Sequence, residues 1–529
     1  MRLLNLITRT SKVLTAIVIL TIGSSGGRAQ DAGNVAPPPS KESQDTSLRE
    51  MQKQMIELKS MLEEMRGEIS RSRMEALQLR KELEEARQLE GSLARAKDAS
   101  SKAGEQTQAD SGGLTTASQE TGNLRKLEED QQLTNAKLDD LYQTKVSSAS
   151  RYRMRLSGMA LLNVFSNKGV VDNMDFPTLA LPEGPIYPAG GFGGTLRQSM
   201  LGFEIFGPEV GAARVSADVQ LDFAGGFPNA PNGVAFGLAR LRTGVVRISW
   251  PNTTLVAGQD APFFSPLSPT SMASLAVPAF SYAGNLWNWT PQVRLEHREN
   301  ITEDSSLLFQ GGILDPLTGE PPAFQFFRTP QAGEASRQPA YATRVAWSHR
   351  AFGHDLTFGA GGYYSRQNWG FHRMVDAWAA TSDLVVPLGN RWELSGQFYR
   401  GRALGGFGGG IGRSALFSGP ITDPATQVHG LNAAGGWAQL KFRQTVKLEW
   451  NGAFGEDDAF ARDLRFFPGP QQGYFDPTLA RNRSAFLNFV YRPRSNLFFS
   501  PEYRRLRTLS VFGNSEIADQ VNLSMGVLF

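Results

Sequence analysis

The sequence predicts a transmembrane antiparallel β-barrel of about sixteen strands, preceded by an N-terminal α-helical coiled coil. Residues 521–529 alternate between apolar side chains and polar or small ones, with Leu528 as the exception. Successive side chains of a strand point to opposite faces, so this segment is a strand with one apolar face. The same period recurs after Val146, and the connections between strands are alternately long and short. A barrel closed within a membrane removes the exposed edge and gives the apolar face lipid to contact.

Residues 1–29 are predicted to be a secretory signal peptide. Arg2, Arg9 and Lys12 precede an apolar run over residues 13–22, and small residues lead to Ala29, after which we expect cleavage. The run is too short for a membrane-spanning helix, which needs about 20 apolar residues. The sequence contains no Cys, so we expect neither a lipid anchor on Cys nor disulfides.

Residues 30–145 are predicted to lie outside the barrel. Segment 30–47 is a flexible, Pro-containing lead-in. Over residues 48–97, twelve of the fourteen a and d positions of a heptad repeat are apolar, which predicts a self-associating coiled coil. A helix packed on its own barrel, or one fraying in solution, is the alternative. Residues 98–121 have linker composition, and 122–145 are predicted to form a second, short helix.

Residues 146–529 are predicted to form the barrel. The predicted strands are 151–164, 196–206, 213–223, 238–250, 253–260, 291–298, 305–314, 339–350, 354–365, 374–386, 391–402, 432–443, 446–454, 481–491, 496–506 and 517–529. Because strand boundaries are soft, fourteen or eighteen strands fit the same pattern. A barrel of about sixteen strands encloses a water-filled lumen, which favours transport over simple anchoring.

The connections predict which end of the barrel faces which compartment. Long segments such as 165–195, 261–290, 403–431 and 455–480 follow odd-numbered strands, whereas even-numbered strands are followed by short turns. Outer-membrane barrels have short periplasmic turns and longer external loops. We therefore expect the bacterial outer membrane as the location, with the N-terminal region in the periplasm.

The charges of the barrel segment predict an arginine-lined lumen. After Val146 there are 30 Arg but only 3 Lys, against 29 Asp and Glu, and no basic block suggests nucleic acid. Guanidinium groups bind carboxylates through two parallel hydrogen bonds, and rings of Arg side chains make pores prefer anions. The candidate pore-lining residues are Arg240, Arg242, Arg294, Arg298, Arg344, Asp218 and Asp222. Alternatively, these arginines pair with the acids to hold the wall, or bind lipopolysaccharide outside.

Residues 261–290 are predicted to fold into the lumen and narrow it. This segment contains no Asp, Glu, Lys or Arg, which is unusual for a loop bathed in water. The candidate constriction residues are Pro262, Phe263, Phe264, Phe280 and Tyr282. The alternative is that this segment forms a subunit contact or an aromatic belt at the membrane.

Together these features resemble the DcaP-like trimeric porins and, more distantly, the phosphate-selective porins. The sequence LVAGQDAPFF at residues 255–264 is similar to the Gly-Gln sequence that leads into the constriction loop of those families. The resemblance implies a homotrimer and diffusion of dicarboxylates or related small anions. Because only three Lys are present in the barrel segment, the lysine ladder of a phosphate channel is missing and phosphate selectivity is not expected.

The sequence therefore predicts an outer-membrane porin for passive, anion-preferring diffusion of small organic solutes such as dicarboxylates. Two rivals are a sugar-type porin, with the loop aromatics as a stacking track, and a tether from the outer membrane to the cell wall through the coiled coil. The five His are scattered and show no nucleophile or metal-ligand spacing, so we expect no enzyme activity, no cofactor and no metal. The expected partners are membrane lipid, lipopolysaccharide, small anionic or neutral solutes and further copies of the chain, with peptidoglycan as the partner that the tether alternative implies.

Overall fold

A computed structural model describes five stretches of the chain, namely residues 153–185, 189–226, 237–318, 328–467 and 478–529. The predicted signal peptide, lead-in, coiled coil, linker and short helix lie outside the described residues. Within those stretches, helices are confined to single turns, and none has the length and apolar character needed to cross a membrane.

Twenty-one strands make up nearly all of the regular structure in the described residues. They are β1 (Arg153–Lys168), β2 (Val170–Val171), β3 (Ala180–Leu181), β4 (Gly190–Thr195), β5 (Met200–Val210), β6 (Ala213–Asp222), β7 (Arg240–Ser249), β8 (Thr253–Asp260), β9 (Thr290–Thr302), β10 (Ser305–Leu314), β11 (Ala340–Ala351), β12 (His354–Asn368), β13 (Met374–Leu388), β14 (Trp392–Arg402), β15 (Ala415–Phe417), β16 (Val428–Gly430), β17 (Asn432–Thr445), β18 (Leu448–Ala459), β19 (Leu479–Arg494), β20 (Leu497–Ser510) and β21 (Ser515–Leu528). The helical turns are Glu334–Ser336, Gly405–Phe407, Gly409–Gly412 and Ala461–Leu464.

The strands close into a sixteen-position antiparallel barrel. β2 pairs only with β3, and β15 only with β16, so these four strands lie in the loops. β4 and β5 pair with successive parts of β1 and share one position. β21 pairs with β20 on one side and with β1 on the other, from Met159 opposite Leu528 to Lys168 opposite Asp519. This closure confirms the predicted barrel and its strand number.

The barrel is apolar outside and polar inside, the inverse of a water-soluble protein. On β21, Val521 and Leu523 are 58% and 50% exposed, whereas Asn522 and Ser524 are 1% and 0% exposed. Hydrocarbon is a good solvent for the outward aliphatic groups but cannot satisfy polar atoms, so the polar side chains turn inward. The two-residue alternation in the sequence thus records the two faces of each strand.

Aromatic side chains mark two levels on the outer surface. Near the short turns, the rings of Trp392 and Phe442 stack with centroids 4.3 Å apart. Near the long connections, Tyr341 and Trp378 are exposed. The seven residues of β11 from Tyr341 to Trp347 span about 20 Å. Two such girdles around an apolar band are the pattern of a barrel seated in a bilayer.

The structure differs from the sequence prediction chiefly between residues 165 and 195. This stretch was predicted as one long connection, but β1 continues to Lys168 and pairs there with β4. β4 has the sequence GGFGGT, and four glycines in six residues leave no side-chain alternation to recognise. Strand pairing to β1 supplies the order that local sequence does not predict.

Candidate functional site: the loop-lined lumen

The lumen is crossed by the segment that joins β8 to β9. We call residues 261–289 the lumen loop. Three wall glutamines accept hydrogen bonds from its backbone: Gln397 from Leu267 N at 3.2 Å, Gln439 from Thr270 N at 2.6 Å, and Gln198 from Leu275 N at 2.8 Å. Gln397 and Gln439 lie on the adjacent strands β14 and β17, whereas Gln198 lies between β4 and β5, several strands further around the barrel. The loop needs no charges of its own because wall amides satisfy its buried backbone.

A buried ion pair holds the distal part of the lumen loop to β20. Glu502 accepts a hydrogen bond from Ser271 Oγ at 2.6 Å and another from Asn488 Nδ2 at 2.9 Å. Arg504 Nη2 lies 2.6 Å from Glu502 and 3.1 Å from Ser271 Oγ. The carboxylate is thus fully paired, which a buried charge requires.

Aromatic packing fills the space between the lumen loop and the wall. Phe264 is fully buried, stacks on Tyr363 at 5.1 Å and meets Phe407 edge-on at 5.2 Å. Phe280 packs on Phe486 at 5.1 Å. Pairs at these distances add roughly 0.5–1.5 kcal/mol each to the free energy gained by burying the rings. Phe280 and Tyr282 adopt positive φ values of 64° and 60°, a strained conformation that this packing must hold in place.

Gly284 marks a close approach of the lumen loop to the wall. Its φ is +97°, and a Cβ there would lie 2.3 Å from the backbone oxygen and 2.4 Å from the backbone nitrogen of Gly436. Only glycine fits, because any side chain would strain the backbone and collide with β17.

Arg240, Arg242 and Asp222, three of the predicted pore-lining residues, meet in one cluster at the return of the lumen loop. Arg240 contacts Asp222 through Nε at 3.0 Å and Nη2 at 2.6 Å, and Arg242 Nη1 lies 3.1 Å from the same carboxylate. Both guanidinium groups also donate to loop carbonyls and lie over the ring of Trp289, at 4.9 and 4.5 Å from its centroid. The carboxylate is fully buried, while Arg240 keeps about a quarter of its side chain exposed. Two cations share one anion, which leaves a net positive charge.

Arg294 and Arg344 have full sets of partners. Arg294 bridges Asp260 at 2.9 Å and Glu296 at 2.7 Å. Arg344 forms a two-point contact with Asp383, at 2.9 and 2.7 Å, and is almost completely buried. For these two arginines, the wall-holding alternative describes the observed contacts.

Asp218 and Arg298 face separate cavities nearer the short turns. Asp218 pairs with Arg247 beside a cavity of about 440 Å³. Arg298 donates to Ser306 Oγ at 2.9 Å and lines a second cavity of about 450 Å³, together with Arg344 and Arg350. The structure therefore divides the predicted pore-lining set among several places rather than one ring.

Two functional elements escaped sequence reasoning. One is the set of wall anchors for the lumen loop, Gln198, Gln397, Gln439, Asn488, Glu502 and Arg504, whose only signal is inward strand parity. The other is a second inward loop over residues 403–412. Its Phe407 O accepts from Trp287 N at 3.0 Å, and its Ile411 N donates to the buried Asp457 at 3.2 Å. This stretch is also free of charged residues, so the composition that identified the lumen loop would have identified it too.

Comparison with known proteins agrees with this architecture. The chain is similar to the outer membrane channel DcaP of Acinetobacter baumannii, with a TM-score of 0.55 and 15% identity over 73% of this chain and 100% of that one. It also aligns with the anion-selective porin from Comamonas acidovorans, with a TM-score of 0.45 and 11% identity over 72% of this chain and 100% of that one. No protein-family model and no curated protein matches the sequence. The resemblance predicted from the sequence is confirmed for the fold, and the chain has the architecture of a porin-type channel of the outer membrane.

Proposed function

We propose that the protein is a passive, anion-preferring porin for small organic solutes such as dicarboxylates. The observation that carries the proposal is the cluster of Arg240, Arg242 and Asp222 beside the lumen loop. Its spare positive charge lies where the loop narrows the lumen, and Arg240 retains exposed surface that an entering carboxylate can contact. Guanidinium binds carboxylate in a planar, two-point geometry. The low dielectric of a loop-lined lumen strengthens this attraction over bulk water.

The three phenylalanines of the lumen loop give no support to the stacking-track alternative for sugars. A track for sugar rings requires exposed aromatic faces, but Phe263, Phe264 and Phe280 are 4%, 0% and 3% exposed. Their rings pack against the wall and serve to place the loop. We therefore propose that solute selection depends on the arginine cluster rather than on these rings.

Reversal potentials in a salt gradient test the anion preference. In planar bilayers, Arg240→Gln combined with Arg242→Gln should lower the permeability ratio of anions to cations. Arg366→Gln is the matched control. Arg366 and its ion-pair partner Asp376 lie on the outer face of β12 and β13, away from the lumen. Equal selectivity in the double variant and the control would refute the role of the cluster. A panel of dicarboxylates and sugars in the same bilayers tests the solute class.

We propose further that the chain forms homotrimers with its N-terminal region in the periplasm. The proposal rests on the heptad repeat over residues 48–97 and on the resemblance stated above. Deleting residues 31–145 and weighing the purified protein by native mass spectrometry tests the assembly. Loss of envelope integrity with unchanged single-channel conductance would instead make tethering to the cell wall the main role of this region.

A further inference from the structure

Charged side chains cluster on the lipid-facing surface of β14, β18 and β19 near the long connections. Arg400, Glu456, Asp458, Arg481 and Arg483 have the same strand parity as the exposed Phe398 and Phe454, so they project outward. A charge facing hydrocarbon is costly, so outward charges at a barrel's end must reach the headgroup layer or an ionic partner.

The carboxylates of this cluster are already paired. Glu456 contacts Arg481 Nε at 3.2 Å and Arg483 Nε at 2.8 Å, and Arg481 also contacts Asp458. Arg400, by contrast, forms no ion pair with any residue in the described part of the chain. Its guanidinium donates to three neutral oxygens, Gly401 O, Ala433 O at 3.0 Å and Asn432 Oδ1 at 3.4 Å. It also lies 4.3 Å from the Phe460 ring centroid and 5.5 Å from that of Trp378. With three arginines against two carboxylates, the cluster carries a net positive charge.

An apolar groove runs along the outer surface directly below Arg400. Its volume is about 420 Å³, and its walls include Phe398 on β14 and Phe454 on β18. Glu456 and Asp458, whose carboxylates are paired with arginines, also line it. The floor is β17, where the outward residues are Ala434, Gly436 and Ala438. Ala434 lies opposite Arg400 in the strand register. From Ala434 to Ala438 the floor extends about 14 Å, which suits a segment of an extended acyl chain.

We propose that this surface binds one lipid A molecule of the outer leaflet, with a phosphate at Arg400 and an acyl chain in the groove. The guanidinium of Arg400 lies next to one end of the apolar groove. A ligand that fills both must therefore combine an anionic head with a hydrocarbon tail. Lipid A is preferred to a glycerophospholipid because it carries phosphate monoesters, and because the site lies at the end with the long connections, which outer-membrane barrels turn to the cell exterior. The two-point geometry of guanidinium suits a phosphate monoester.

Native mass spectrometry of the purified full-length protein in detergent, titrated with defined bis-phosphorylated lipid A, tests the proposal. Arg400→Gln removes the phosphate contact, and Ala438→Trp blocks the groove at an exposed outward position. Each should weaken lipid A binding roughly tenfold or more, as expected for one charge-assisted hydrogen bond or for loss of the chain's seat. Ala360→Trp, at an exposed outward alanine on β12, is the matched control and should bind as the wild type does.

Three results would overturn the proposal. The first is equal lipid A binding by the wild type, Arg400→Gln and Ala438→Trp. The second is binding of dephosphorylated lipid A as tight as that of bis-phosphorylated lipid A, which would refute the phosphate contact. Equally tight binding of phosphatidylglycerol would refute the preference for lipid A. The third is a change in oligomer mass, without a change in lipid binding, on Ala438→Trp, which would make the groove a contact between barrels. A heat-dependent shift on SDS gels verifies that each variant has folded.

Discussion

Replacing Gly284 with alanine should detach the lumen loop while leaving the barrel closed. At φ = +97°, the new Cβ would approach Gly436 O to 2.3 Å, Gly436 N to 2.4 Å and Glu456 O to 2.5 Å. All three are backbone atoms of the wall and cannot move aside without breaking strand pairing. The loop must therefore shift, and the strands should keep their hydrogen bonds.

The magnitude follows from two separable terms. A non-glycine residue at positive φ costs about 1–2 kcal/mol, and overpacking a filled site costs about 1–3 kcal/mol more. Gly389 provides the control for the first term, because its φ is +83° in a short turn and nothing lies within 4 Å of its Cβ position. Gly389→Ala should therefore show only the backbone cost.

Single-channel recording distinguishes the two variants. Gly284→Ala should conduct more, with larger current fluctuations, because the displaced loop no longer narrows the lumen. Gly389→Ala should conduct as the wild type does. Heat-dependent mobility on SDS gels should show both barrels folded. If Gly284→Ala gave the wild-type conductance and noise, the assignment of residues 261–289 as the constricting element would be refuted.

Three further predictions concern charge and orientation. Asp222→Asn should destabilise the barrel by about 3–5 kcal/mol in urea unfolding, because two largely buried arginines lose their carboxylate partner. The same substitution should raise the permeability ratio of anions to cations in bilayers. An unchanged ratio would contradict the net positive charge assigned to the cluster. Leu523→Arg should lower the free energy of unfolding in lipid vesicles by about 2–4 kcal/mol if the site is near the bilayer midplane, because this side chain faces lipid. A variant as stable as the wild type would argue against that orientation. Burial acts to raise the pKa of Asp463, but hydrogen bonds from Asn432 N and Nδ2, at 3.0 and 2.8 Å, outweigh it and hold the pKa below its ordinary value of 3.8. A depressed pKa stabilises the folded loop above pH 3.8, and this stabilisation is lost as the pH falls through the folded-state value. The protection factor of the Asn432 amide in hydrogen exchange should therefore fall below about pH 4 in the wild type, and Asp463→Asn should flatten this response.

The strands could be predicted because a barrel in lipid imposes one simple rule on every residue. Each outward side chain must tolerate hydrocarbon, so the two-residue period persists through strands as different as β6 and β21. β4 escaped prediction because its glycines carry no such signal. Only its pairing with β1 identifies it as a strand. The second inward loop escaped prediction because its uncharged stretch, residues 403–412, is short and is flanked by Arg402 and Arg413.

The fate of individual arginines could not be predicted from parity alone. Strand parity placed Arg240, Arg294 and Arg344 on the inner face, and each does point inward. Which carboxylate each one meets depends on the register of neighbouring strands and on the path of the lumen loop. Arg344 meets Asp383 two strands away, and Arg294 meets Asp260 across one strand pair. Sequence reasoning therefore identified the correct wall but could not distinguish a free arginine from a neutralised one.

By itself, the sequence predicted the barrel, a strand number of about sixteen and the inner and outer faces of the strands, and it distinguished the uncharged segment over residues 261–290. These features follow from local alternation and composition, because solvent on each face acts on residues one at a time. Only the tertiary structure decided that Arg240 and Arg242 share Asp222, that Gly284 touches Gly436, and that Arg400 lies above an apolar groove. Each of these depends on atoms brought together by strand register and loop path, and such long-range contacts leave no local trace in the chain.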